Sequence, residues 1–222
     1  MDAVALALSL KLAVATLVIL IPVAIALAHL LATRRFAGKA FVEALTALPL
    51  VLPPTVLGYY LLVAMGGASP LGRAYESLIG HPLVFAFDGL LVASVLFNVP
   101  FAVQPLQRAF EAIPEDIRHA AACCGLTRWQ SLTRIELPLA WPGLLTAIVL
   151  TFAHTLGEFG VVLMVGGSIP GETKTVALAI YDRVQAFDMD AAGLMSATLL
   201  ALSIVAIGVT FFVSSNRRRR HG

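Results

Sequence analysis

The chain has 222 residues, 59% of them hydrophobic and 13% charged, with a formal net charge of +2. A soluble domain averages about 45–50% apolar and about 25% charged residues, so this chain carries too few charges to cover such a core in water. A water-soluble globular fold is excluded, and lipid is the natural solvent for the surplus.

Five apolar stretches are each long enough for a helix to cross a hydrocarbon core, which takes about 20 residues. They run over about 6–32, 41–65, 83–103, 139–165 and 194–213. The composition therefore predicts an all-α integral membrane protein with about five transmembrane helices. Met1, Asp2 and Ala3 form no basic leader, so the first stretch reads as a retained span rather than a cleaved signal. No internal repeat or low-complexity linker interrupts the chain, which predicts one membrane domain over residues 1–222.

The links differ in charge. The first holds Arg34, Arg35 and Lys39, the third holds Arg108, Arg118, Arg128 and Arg134, and the end of the chain holds Arg217, Arg218, Arg219 and Arg220. The second link has Arg73 against Glu76, and the fourth has Lys174 and Arg183 against Glu172, Asp182, Asp188 and Asp190. Lys and Arg accumulate in short cytoplasmic links. With five spans every basic link falls on one side, so the N-terminus is expected outside and the C-terminus in the cytoplasm. Following a membrane helix, the arginine run reads as an anchor on anionic lipid rather than a nucleic-acid patch.

The third link, about 109–138, carries the most information. Pro114 suits the first position of a helix, where its missing N–H is not needed. Glu115 and Asp116 complement the helix dipole, an alanine run follows, and Gly125 can close the helix in a left-handed conformation. Thr127 with Gln130 three residues on is a capping-box pattern for a second helix, expected to stop before Pro138. Cys123 and Cys124 are adjacent, too few for a disulfide framework, and read as two small buried hydrophobes.

The stretch from His119 through Ala120, Ala121 and Gly125, then nine residues, then Ile135, Leu137 and Pro138, resembles the E-A-A-x3-G-x9-I-x-L-P loop of ABC importer permeases. His119 stands where that family usually has Glu. The resemblance implies a type I importer permease fold, in which Pro114, His119, Ala120, Ala121, Gly125, Ile135, Leu137 and Pro138 belong to a coupling loop that docks on a cytoplasmic ATP-binding subunit. The stretch 48–59, with Pro53, Pro54, Thr55 and Gly58, is similar to the second-helix motif of molybdate permeases. So are Gly157, Glu158, Phe159 and Gly160 in the fourth span, and the segment 166–173. Sulfate permeases share part of these patterns, and tungstate matches molybdate in size and charge.

Pro49, Pro53 and Pro54 free backbone groups, which lipid tolerates only beside protein or water. Gly157 and Gly160 allow backbones to approach closely. Both sets are therefore candidates for a pore or gate. Lys11, His29 and Asp88 lie near the ends of spans, where the first two can snorkel. His154 and Glu158, four residues apart, are expected on one helix face within reach of each other. A proton relay through them would suit a stand-alone proton-coupled carrier, and a satisfied packing pair would suit the importer.

The chain has no G-x-x-x-x-G-K-[ST] loop, no H-E-x-x-H motif and no G-x-S-x-G elbow, so it is not read as an enzyme. No metal or cofactor is expected. The resemblance implies a homodimer, two cytoplasmic ATP-binding subunits and an outer molybdate-binding protein as partners, with no nucleic acid.

Overall fold

The computed structural model describes residues 2–218, with side-chain environments through Val205. The arginine run at 217–220 lies outside the residues described with side chains. Among the described residues the secondary structure is helical throughout.

Asp2 opens α1 (Ala3–Thr33) by accepting the Ala5 N–H at 3.0 Å. The helix holds Pro22 without breaking. The second apolar stretch, expected as one span, is two helices, α2 (Lys39–Val51) and α3 (Pro54–Met65), bent by 111°. Pro49 lies inside α2 and does not break it. The break belongs to Leu52 and Pro53, each followed by a proline and each extended, at ψ 136°. A proline pushes the residue before it out of the helical region, and here two successive residues are pushed. A short α4 (Pro70–Ile79) precedes α5 (Phe87–Glu111), which again contains prolines, Pro100 and Pro105, and stays continuous.

After the loop helices α6 (Glu115–Cys123) and α7 (Arg128–Ser131) comes a π-turn at Leu132–Glu136, then α8 (Leu137–Leu139). The fourth stretch, also expected as one span, divides into α9 (Trp141–Gly157) and α10 (Gly160–Gly166). Then come α11 (Val176–Gln185) and α12 (Met189–Arg218). By length and hydropathy α1 and α5 each suffice to cross a membrane. Counting the α2–α3 pair and the bent run through α9 as one span each brings four, and α12 adds an apolar stretch over Met189–Val205.

The centre of the bundle is α1, α5 and α9. Leu20, Ala24, Ala28 and Leu31 of α1 meet Ala102, Val103, Leu106 and Phe110 of α5, with Leu144 and Ala147 of α9. Small residues set the spacing, as expected where lipid provides no hydrophobic drive between helices. A Cβ at Gly143 would lie 2.7 Å from the Pro105 carbonyl oxygen and would overlap the Ala109 side chain, so α9 crosses α5 at glycine distance. A second cluster joins α3, α5 and α10 through Met65, Ala93, Phe97, Val161 and Val165. A third joins the start of α1 to α11 and α12 through Ala5, Val176, Ala179 and Met195.

Candidate functional site: a capped loop and two facing helix breaks

The loop folds as helix, glycine turn, helix. Glu115 and Asp116 occupy the first turn of α6, but Pro114 is its extended N-cap rather than its first helical residue. Its ring still fixes φ at −55°, a value that leads into the helix. At the other end Gly125 is left-handed, φ 77°. Its N–H donates to the Ala122 carbonyl at 3.0 Å and the Leu126 N–H to the Ala121 carbonyl at 3.2 Å, the paired bonds of a Schellman cap. Thr127 and Gln130 form the capping box, with bonds of 2.9 and 3.3 Å.

The second helix does not stop before Pro138. It widens into the π-turn, where the Leu137 N–H donates to the Leu132 carbonyl, and Pro138 sits in the next helical turn. A wider turn ahead of a proline leaves room for its ring, which in a regular helix would strike the carbonyl four residues back.

Ala121 is the buried residue of α6, whereas His119, Ala120, Cys123 and Cys124 are exposed. The two cysteines are thus free thiols on the open side, not buried hydrophobes. The helical period accounts for this, because Cys123 lies about 200° around the helix from Ala121 and Cys124 follows the last turn. Ile135 and Leu137 are half-buried, and Pro138 is exposed.

Beneath the loop lies a carboxylate that the motif reading passes over. Glu136, 4% exposed, accepts from the Arg118 Nε at 2.8 Å, the Ser131 hydroxyl at 3.0 Å and, at 3.1 Å, contacts Nε2 of His29 from α1. Arg118 also donates to the Phe110 and Ile113 carbonyls, at 2.7 and 3.2 Å. Burial pushes the Glu136 carboxyl up, but the bonds from Arg118 and Ser131 and the nearby charges of His29 and Arg118 outweigh it, so its pKa falls below the ordinary value. His29 therefore does not snorkel. Its ring is turned inward against Phe110, edge-on at 5.3 Å.

The two broken spans face each other. Glu158 leaves the helical track, at ψ 127°, and its Oε1 accepts the Val161 N–H at 2.8 Å, capping α10. A Cβ on Gly160 would come within 2.8 Å of the Pro54 Cβ. One on Gly58 would come within 2.8 Å of the Met164 Cβ and 3.3 Å of the Val161 Cα. Both glycines are what allow α3 to lie on α10. Gly157 has open space around it, so it is no packing contact within this chain. Pro53, Pro54 and Thr55 are exposed, and Phe159 packs on Tyr181 of α11 at 4.9 Å.

His154 and Glu158 do not meet. The helix ends at Gly157, which carries Glu158 off the face that spacing assigns to it. His154 instead stacks on Phe101 at 3.9 Å and pairs Nδ1 with the Asn98 Oδ1 at 3.0 Å. Asn98, fully buried, donates to the Ser94 carbonyl at 2.8 Å and the Thr155 hydroxyl at 3.1 Å. Ser94 in turn meets Thr16 at 2.8 Å. With its NH2 on these acceptors, the amide oxygen faces His154, which therefore carries its proton on Nδ1. The network binds α1, α5 and α9 in the membrane. Asn98 was legible as an amide within an apolar run. Of the span-end residues, Lys11 lies over the Phe87 ring at 4.2 Å, and Asp88 accepts from the Tyr75 hydroxyl at 2.5 Å.

A family model described as the binding-protein-dependent transport system inner membrane component matches residues 7–221. The chain belongs to this family. It is therefore a multi-pass inner membrane permease component. The chain is 46% identical to the molybdenum transport system permease protein ModB of Azotobacter vinelandii, over 88% of this chain and 85% of that one. It is 34% identical to the protein of the same name from Escherichia coli K12, over 88% and 86%. The sulfate transport system permease protein CysT of Escherichia coli K12 is a more distant match, at 31% over 82% of this chain and 65% of that protein. A bacterial ABC transporter involved in the import of the acidic polysaccharide alginate shares the fold. Its TM-score is 0.75 at 18% identity, covering 99% of this chain and 79% of the other. The all-α membrane permease fold expected from composition and from the loop spacing is borne out, with two of its spans broken.

Proposed function

We propose that the chain is the membrane-spanning subunit of an ATP-driven importer for molybdate, working as a homodimer with cytoplasmic ATP-binding subunits and an outer molybdate-binding protein. The supporting observation is the folded unit at 114–139. The loop spacing that resembles importer permeases closes into a capped helix with an exposed face, at the end of the bundle that gathers the basic links. Arg118 reaches the end of α5 there, and His29 near the end of α1 meets Glu136. Positive residues favour the cytoplasmic side, so this end is inside and the start of α1 is outside. The whole chain then serves as one permease domain.

In this reading Pro114, His119, Ala120 and Gly125 present the docking helix, while Ile135, Leu137 and Pro138 hold its base. Pro53, Pro54, Thr55 and Gly58 face Glu158, Phe159 and Gly160 where the ion path is gated. Gly157, exposed and unpacked, borders it. Irregular backbone within lipid is tolerated beside water or protein, which suits a path for a hydrated dianion. The likeness to molybdenum permeases, stronger than to the sulfate permease, supports the choice of ion. Without a phosphate-binding loop the chain leaves ATP hydrolysis to its partner. A stand-alone proton carrier loses its support, because His154 and Glu158 have separate partners.

The test is ATP hydrolysis in liposomes holding this chain, its ATP-binding subunit and its binding protein, supplied with molybdate, tungstate or sulfate. Stimulation by molybdate or tungstate and not by sulfate is expected. Stimulation by sulfate alone would correct the ion. Failure of the folded chain to assemble with an ATP-binding subunit would overturn the reading.

A further inference from the structure

The docking helix has few ties to the membrane helices. Of its nine residues only Ala121 is buried. Arg118 is different. Its two terminal nitrogens donate to the Phe110 carbonyl at the end of α5 and to the Ile113 carbonyl just beyond it. Its Nε donates to Glu136. Glu136 then spends its second oxygen on Ser131, at the end of α7, and shares its first with His29. One carboxylate thus gathers side chains from α1, α6 and α7. An ionised carboxylate suits this role because it is purely an acceptor, with two oxygens that can take several donors. A buried ion pair contributes little net stability against a hydrophobic replacement, so stability is a weak reason for it to be here.

We propose that Glu136 is a positioning residue that joins the docking helix to α1 and α5, so that displacement of α6 by the ATP-binding subunit reaches the membrane through Arg118 and His29. The inference rests on the docking reading of the loop. The carboxylate itself faces inward, away from the exposed face of α6. Movement along this route enters α1 and α5 directly, besides passing along the chain into α9. His29 is the contact that makes the route to α1 distinct, since it lies 107 residues from Glu136 in sequence.

The experiment uses the complete reconstituted transporter and reads molybdate uptake per ATP hydrolysed, together with assembly. Glu136→Gln keeps the side-chain volume and removes the charge-assisted bonds, interactions whose loss corresponds to roughly tenfold or more. We expect assembly to persist and uptake per ATP to fall roughly tenfold. His29→Ala, which spares the Arg118 pair, should fall in the same direction by a smaller factor. The double variant should be no worse than Glu136→Gln alone. Unchanged uptake per ATP in Glu136→Gln overturns the proposal, as does a loss of assembly at an unchanged ratio, which is what a merely structural residue gives. Effects that multiply in the double variant also overturn it, because they separate His29 from the route. If the unmodified chain fails to assemble with the ATP-binding subunit, the docking reading falls instead.

Discussion

Two joints in this molecule bury a glutamate where a regular helix gives way, and they differ in what the carboxylate holds. At Glu158 the chain breaks between α9 and α10, and the carboxylate accepts a backbone N–H two residues into the new helix. At Glu136 the helix widens into a π-turn without breaking, and the carboxylate is held by Arg118, Ser131 and His29. The first arrangement serves a single helix end. The second ties together distant parts of the chain. A carboxylate in lipid is costly, and making it a cap satisfies it with a group the break itself leaves free. Outside the lipid a carboxylate can hold a cation and become a connector.

The comparison is broken most severely at the contact that supports the first joint. Gly160→Val places a Cβ against Pro54 at 2.8 Å and adds two methyls beyond it. Overpacking of this kind costs about 1–3 kcal/mol or more. Uptake should fall roughly 100-fold with a lowered unfolding temperature in detergent. A variant with normal stability and uptake would mean that α3 and α10 do not lie together as described.

Next in size is Glu158 itself. If it is a cap, Glu158→Ala strands the Val161 N–H and costs about 1–2 kcal/mol, read as roughly tenfold in uptake. Glu158→Gln keeps an accepting oxygen and should retain most of the uptake. A proton relay gives the opposite result for Gln, which cannot titrate, so an inactive Glu158→Gln with intact stability would return the residue to proton transfer.

How far these joints can be read in sequence follows from what makes them. The break at Leu52 and Pro53 is legible because proline dictates the conformation of its predecessor through local sterics. Ile21, Val99 and Gln104 also precede prolines yet stay helical, so a single proline is overridden here and the doubled proline is the part of the signal that counts. The break at Glu158 is not legible from period or composition, because the hydropathy runs through it. It shows only in the structure, as the extended backbone of Glu158 and its side chain's bond to Val161. The Schellman cap at Gly125 and the capping box at Thr127 are local and were predictable in detail. The Glu136 hub joins residues 29, 118 and 136, and nothing in the spacing of one segment encodes a contact with another. The same holds for Asn98, whose partners lie on α5 and α9.

The doubled proline can be tested alone. Pro54→Ala leaves Pro53 as a single proline of the kind that α1 and α5 accommodate, so the bend should relax in part. Replacing Pro53 and Pro54 together by alanine frees both residues to turn helical and should straighten α2 into α3. Changes in backbone freedom at such positions are worth about 0.4–1 kcal/mol, so a roughly two- to fivefold loss of uptake is expected for the pair. Spin labels on α2 and α3 should move apart in both variants, and further in the double one. An unchanged separation in both would mean that packing of α3 on α10, rather than proline sterics, sets the bend.

The smallest effect expected near neutrality concerns the connector carboxylate itself. The Glu136 pKa is lowered in the folded protein: burial opposes the shift, and the bonds from Arg118 and Ser131 with the charges of His29 and Arg118 more than offset it. A group with a depressed folded value contributes stability that is complete above its unfolded value, about 4.3 for Glu, and is lost as pH falls through the lower folded one. The hub should therefore hold the loop unchanged from about pH 8 to about pH 5 and release it only in stronger acid. Hydrogen exchange at Gly125 and Leu126, corrected for the intrinsic rate, reads this directly, because their amides close the cap of α6. The acid step should disappear in Glu136→Gln. A step nearer neutrality, or an acid step that persists in Glu136→Gln, would mean that another group and not this carboxylate holds the loop.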